Sequence, residues 1–160
     1  MKKIVTFLSC IIASATFAQA FDGKNDIKGQ VGFSTQKFGS GIHVTYDMGL
    51  GENISVGLTG VYLLNTVGNG IELPFEDRID IKGRFNANIG SVLKLPANVD
   101  IYPGLNLGTK NFGAHLGGRY FFTDGFGLYT EVSFPIAKYN KDANDFNNQF
   151  VFNIGASFNL

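Results

Sequence analysis

The chain has 160 residues, with thirteen Lys and Arg set against thirteen Asp and Glu. That balance leaves no basic footprint for nucleic acid, and charged residues form 16% of the chain, below the roughly 25% of a typical soluble domain. The single cysteine, Cys10, excludes a disulfide framework and a cysteine-built metal site in the chain that follows it.

The first predicted element is a secretory leader. Lys2 and Lys3 supply its positive region, and Ile4 to Ala15 is an apolar stretch too short to span a bilayer as a helix. The triplets Thr16-Phe17-Ala18 and Ala18-Gln19-Ala20 both fit the small-x-small rule, so cleavage is expected after Ala18 or after Ala20. Phe7-Leu8-Ser9-Cys10 loosely resembles a lipoprotein cleavage box but lies too early in the apolar stretch. Cleavage removes Lys2, Lys3 and Cys10. Residues 21–160 then form one domain with a slight acidic excess. No later run approaches the roughly 18 apolar residues of a transmembrane helix.

Period-two alternation then recurs eight times between turn signals. The first strand is predicted over Ile27–Thr35, with Ile27, Val31 and Phe33 on its apolar face, and Lys37-Phe38-Gly39-Ser40 turns it. The second runs Ile42–Met48, and Gly49-Leu50-Gly51-Glu52-Asn53 turns it. The third covers Ile54–Leu64 and leads into a longer connection, Asn65–Asp77, unusually apolar at Ile71, Leu73 and Phe75. The fourth, Arg78–Ile89, alternates most clearly: Ile79, Ile81, Phe85, Ala87 and Ile89 against Arg78, Asp80, Lys82, Arg84, Asn86 and Asn88. Leu95-Pro96-Ala97-Asn98 marks the next turn. The fifth strand, Val99–Thr109, contains Pro103, which lacks an N–H for the ladder, so a bulge or local distortion is expected there. The sixth is Phe112–Phe122, the seventh Phe126–Ile136 after Thr123-Asp124-Gly125, and Tyr139–Phe146 is a polar loop. The last strand lies within Gln149–Leu160, apolar at Phe150, Phe152, Ile154, Ala156, Phe158 and Leu160. Its natural neighbour is the first strand, which closes a cylinder and removes both edges.

Eight strands near the ~10 residues needed to cross a bilayer at a tilt suit a transmembrane barrel. The expected fold is therefore all-β: an eight-stranded antiparallel up-and-down transmembrane β-barrel after a cleaved signal peptide. Compact turns follow strands two, four and six and longer polar connections follow three and seven, the asymmetry of a barrel with short periplasmic turns. A soluble lipocalin-type barrel has the same period but hides its apolar face inside. Here the polar face is Gly, Asn, Ser, Thr and mixed charges, suited to a narrow lumen, while Phe and Leu on the other face suit lipid. An aromatic girdle is expected from Tyr46, Tyr120, Phe122, Phe126 and Phe158 at the periplasmic end and Tyr62, Phe112 and Phe150 at the outer end.

Arg78, Asp80, Lys82 and Arg84 project to the polar face, joined by Lys28, Asp47, Asp100, Lys110, Arg119 and Glu131. They form either a gated ion path or a salt-bridged plug, and the cost of an unpaired buried charge favours the plug. Glu131 is expected level with Arg84 and Arg119. His43 and His115, the only histidines, have no Ser or acid at a telling spacing, so they read as polar lumen residues rather than catalysts or metal ligands. Asp142-x-Asn144-Asp145 lacks the ligand number of a calcium loop. No cofactor, metal or enzymatic activity is expected.

The ending Asn153-x-Gly155-x-x-Phe158-x-Leu160 resembles the C-terminal signal of outer-membrane barrels, though with Leu in place of the commoner Phe. Arg119 to Tyr129 resembles their periplasmic hairpins. In size and plan the chain is similar to small eight-stranded barrels of the outer-membrane protein X and outer-membrane protein A membrane-domain type, and more narrowly to an uncharacterised family of short Bacteroidetes-type barrels. The resemblance implies an outer-membrane location in a Gram-negative bacterium. It also implies an assembly role for Gly155, Phe158 and Leu160, read by the barrel-assembly machinery, with periplasmic chaperones as carriers. Lipid and lipopolysaccharide would surround a monomer. The expected role is a small structural outer-membrane barrel; the alternatives are a surface ligand-binding or adhesion barrel, a narrow ion-conducting pore, or a soluble secreted barrel.

Overall fold

A computed structural model describes residues 19–66, 74–139 and 146–160. Most of the expected leader, with Cys10 and the cut after Ala18, lies outside the described residues, as do Ile71, Leu73 and the Asp142-x-Asn144-Asp145 cluster. The strands are β1 (Ile27–Gln36), β2 (Gly39–Gly51), β3 (Ile54–Thr66), β4 (Ile79–Ala87), β5 (Val99–Gly108), β6 (Asn111–Thr123), β7 (Phe126–Lys138) and β8 (Val151–Asn159), with a short helix, α1 (Phe75–Arg78), before β4. They close in sequence order into an antiparallel barrel. β8 pairs β1 from Lys28↔Asn159 to Gln36↔Val151. The Leu160 N–H donates to the Ile27 carbonyl at 3.0 Å, one step beyond that ladder.

Several strands run longer than expected. β2 extends to Gly39 and Gly51 because its glycines are ladder residues rather than turn residues. Gly41 and Gly49 face inward, where a Cβ would overlap the backbone of Tyr62 and of Gly23 respectively. β4, in contrast, is shorter. Arg78 does not open it but ends α1, a turn entered from Pro74 with Glu76 and Asp77 in its first turn, where Pro and acidic residues are favoured. At its other end β4 stops at Ala87, and the connection to β5 spans 88–98 rather than a tight turn.

Pro103 accounts for that shortening. The β4–β5 ladder ends at Asn86↔Gly104 and resumes as a single bond, Ile89 N–H to the Ile101 carbonyl at 2.9 Å. The register sets Pro103 against Ala87 in the gap, where an N–H would be needed and proline has none. The β5–β6 ladder passes Pro103↔Leu116 without a shift. The expected distortion is thus a missing rung on one side and not a bulge.

The two faces of the wall differ in kind. Outward positions are apolar: Phe33, Leu58, Ile81, Leu105, Leu116, Leu128 and Ile154 are all exposed. Inward positions are polar and buried: Lys28, Gln30, Asp47, Arg84, Asn86, Asp100, Arg119 and Glu131 are each under 5% exposed. Large inward rings meet glycines across the wall. His43 lies opposite Gly32, His115 opposite Gly104 and Tyr102 opposite Gly117, and Tyr129 opposite Gly155. Glycine leaves room for a neighbouring ring to lie over the strand, the cross-strand device known as aromatic rescue.

Candidate functional site

The lumen holds most of the charged residues expected there, and the strand register sorts them into three tiers. The central tier is built on Arg84. Its Nη2 donates to Glu131 Oε2 at 2.8 Å and its Nη1 to the Thr59 hydroxyl at 3.1 Å. Its Nε donates to Asn86 Oδ1 at 3.1 Å and lies 3.2 Å from Asp47 Oδ1. That last contact is ionic without hydrogen-bond geometry, and no donor among the described residues reaches either Asp47 oxygen. One guanidinium therefore faces two buried carboxylates, a planar fork suited to the task.

Two histidines flank this tier. His43 Nδ1 is 2.7 Å from the Tyr129 hydroxyl, and its Nε2 is 3.8 Å from Glu131. His115 Nε2 is 2.7 Å from Asn86 Oδ1. A chain of neutral groups fills the remaining space: Thr45 donates to Gln30 at 2.9 Å, and Gln30 donates to the Tyr102 hydroxyl at 3.2 Å. The free space beside His43 and Glu131 is about 10 Å³, room for about one water molecule and not for a substrate.

The second tier closes the end where the β2–β3 and β6–β7 turns lie. Arg119 donates to Asp100 at 2.9 Å and to Asn88 at 2.8 Å. Its guanidinium sits 4.9 Å from the Tyr102 ring centre and 5.8 Å from that of Phe21. Its other nitrogens, Nε and Nη1, have no hydrogen-bond acceptor among the described residues; the two rings supply cation–π contact. Asp100 also accepts the Gly90 N–H at 3.0 Å. Beside it, Lys28 pairs with Asp26 at 2.6 Å and donates to Asn159 at 2.7 Å.

Residues 19–26 form a strap across this mouth. The Ala20 N–H donates to the Ala97 carbonyl at 2.8 Å, Asn25 N–H to Gly49 at 2.9 Å and Gly49 N–H to Asp26 at 2.7 Å. Ala20 packs on Phe121, both fully buried. Gly23 and Asn25 turn the strap with φ of 89° and 68°, conformations that suit Gly and Asn.

The third tier lies at the opposite end. Asp80 pairs with Lys82 at 3.2 Å and accepts from Thr109 at 3.2 Å. Lys110 stands outside the lumen proper, where its ammonium donates to the Asp77 carbonyl at 2.9 Å. Arg78, expected to open β4 on the lumen face, instead ends α1 and is half-buried. Glu131 meets Arg84 as expected but not Arg119, because the register pairs Glu131 with Gly117 and Arg119 with Tyr129.

Phe21, Asp26, Gln30, Thr59 and Tyr102 were not expected in the network. Four of them were within reach. Asp26 and Gln30 continue the parity of Lys28, Tyr102 that of Asp100, and Thr59 lies on the inward parity of β3. Phe21 carried no signal, since the strap has no period.

The aromatic residues group at the two ends. Tyr120, Phe122, Phe126 and Phe158 form a run with successive ring-centre separations of 5.0, 6.3 and 5.7 Å. Tyr46 lies in the same belt, since Gly29 pairs with both Tyr46 and Phe158. At the other end Tyr62 meets Phe75 at 5.8 Å. Phe75 thus folds back on the barrel wall.

Among the described residues no group of three or more His, Cys, Asp or Glu is arranged to hold a metal, and no helix is long and apolar enough to cross a membrane. Residues 11–160 match the family described as "Family of unknown function (DUF6646)". No match is found among curated proteins.

Proposed function

The chain belongs to the DUF6646 family, and from the distribution of side chains across its barrel wall we propose that it is a small structural β-barrel of the Gram-negative outer membrane. The observation that carries this reading is the inversion of the wall. Leu58 is 60% exposed on the outside while Arg84 is 4% exposed on the inside. In water that arrangement forfeits the hydrophobic driving force on every strand; in lipid it satisfies both faces, and closure satisfies the backbone. The resemblance to small outer-membrane barrels supports the same reading.

On this proposal a signal peptide is cleaved after Ala18 or after Ala20, and cleavage after Ala18 leaves the strap whole. The aromatic runs sit at the two interfaces, with the turn end periplasmic. Lipid and lipopolysaccharide contact the outer wall. Gly155, Phe158 and Leu160 belong to the signal read by the barrel-assembly machinery, and chaperones carry the unfolded monomer. The lumen acts as a strut: Arg84, Glu131, Asp47, Arg119 and Asp100 pair across strands and lock the cylinder, and the strap closes one mouth. No catalytic role, cofactor or nucleic-acid partner is assigned.

Purified protein in planar bilayers tests the strut against the pore. The proposal predicts no stable single-channel steps; large, stable conductance would overturn it. Deletion of the gene should raise sensitivity to detergent, the readout expected of a wall component.

A further inference from the structure

Two cleavage points fit the small-x-small rule, one after Ala18 and one after Ala20. The fold treats the two residues between them very differently. Gln19 is exposed. Ala20 is fully buried against Phe121, which is itself fully buried. The Ala20 N–H donates to the Ala97 carbonyl at 2.8 Å, a bond that ties the strap to the β4–β5 connection. Ala20 is therefore small for a packing reason: a longer side chain at this site would have to displace the Phe121 ring. Its size is not a separate sign of a cut after it.

The rest of the strap is folded onto the mouth. Phe21 is half-buried, with its ring centre 5.8 Å from the Arg119 guanidinium, and its carbonyl accepts from the Gln19 amide at 3.3 Å. The Asp22 N–H donates to Asp26 Oδ2 at 3.2 Å, and Asp26 holds Lys28 at 2.6 Å. A cut after Ala20 would remove the bond to Ala97, uncover Phe121 and put a new ammonium on Phe21, the residue whose ring faces the Arg119 cation. A partly buried charge near a like charge is costly. A cut after Ala18 keeps the Ala20 and Phe21 contacts and puts the ammonium on Gln19, where it meets water.

We propose that the chain is processed between Ala18 and Gln19, and that residues 19–26 remain on the mature barrel as a folded plug of the turn-end mouth. Water adds across the Ala18–Gln19 amide, leaving a carboxylate on Ala18 and an ammonium on Gln19. This assignment rests on the reading of the chain as an exported barrel with a cleaved leader.

Intact-mass measurement of the full chain, expressed in a Gram-negative host and recovered from its membranes, tests it. The wild-type mass should match a chain that starts at Gln19. A chain that starts at Phe21, lighter by one Gln and one Ala, would overturn the assignment. A chain that starts at Met1 would instead overturn the leader reading beneath it. Ala20→Leu separates the two cuts further, because it puts a large residue beside the second point and leaves the first intact. Its precursor should be cut as in wild type, and its barrel should show a lower urea midpoint, because the added side chain meets Phe121. An uncut Ala20→Leu precursor would overturn the site. So would an unchanged midpoint, since the strap would then be no part of the mature fold. Masses are read on denatured protein, so the starting residue is known whether or not the variant folds.

Discussion

Tyr102 of β5 lies directly opposite Gly117 of β6, and its ring fills the space that a Cβ at 117 would need. The same ring stacks on Arg119 and lies 5.7 Å from Arg84. A glycine on one strand thus sets the height at which two arginines are separated in the lumen. Gly117→Ala forces the ring to move in a fully buried site. The expected loss is about 1–3 kcal/mol, the usual cost of overpacking, read as a lower urea midpoint in lipid vesicles. Tyr102→Phe, which keeps the ring and gives up the Gln30 bond, should cost less, about 0.5–1.5 kcal/mol.

Among the described residues Arg84 is the one cation paired with both Glu131 and Asp47. Arg84→Met leaves two buried carboxylates without their counter-charge, and breaking a buried pair from one side costs about 3–5 kcal/mol. Glu131→Gln keeps an acceptor for Arg84 and leaves Asp47 as its ionic partner. Its cost should stay within about 1–3 kcal/mol. Unfolding of both variants in the same vesicles checks the order, and equal losses would argue against Arg84 as the shared hub.

Leu116 faces outward near the middle of β6 and is 49% exposed. If that face meets lipid, Leu116→Arg costs about 2–4 kcal/mol. If it meets water, an exposed substitution of this kind changes stability by about 0.5 kcal/mol or less. The two outcomes do not overlap, so one unfolding titration separates a lipid-facing wall from a water-facing one.

Deleting Phe158–Leu160 removes the Phe126–Phe158 ring contact and the Leu160 bond to Ile27. Outer-membrane insertion should fail, measured as loss of the heat-modifiable band on a gel. Normal insertion of the shortened chain would remove these residues from the assembly signal.

Periodicity made the eight strands and the closure of β8 on β1 legible, because Phe150 to Leu160 and Ile27 to Phe33 show clear alternation. It also misled at Arg78, which shares the parity of Asp80, Lys82 and Arg84. Pro74, Glu76 and Asp77 were the competing signal, and they set a helical turn there. Parity identified the face of each lumen charge but not its height. Arg119 and Glu131 share a face, yet the stagger between β6 and β7 places Arg119 beside Asp100 instead. Height depends on register, which no single strand encodes. The strap was illegible for a different reason: residues 19–26 are held by backbone bonds to Gly49 and Ala97, which leave no side-chain pattern.

The central claim is that the apolar wall faces lipid while the charges face one another. Fractionation of cells producing the full chain tests it most directly. The account predicts that the protein sediments with outer-membrane vesicles, resists extraction by carbonate or urea, and enters solution only with detergent. Recovery of folded protein in the soluble fraction without detergent would contradict it.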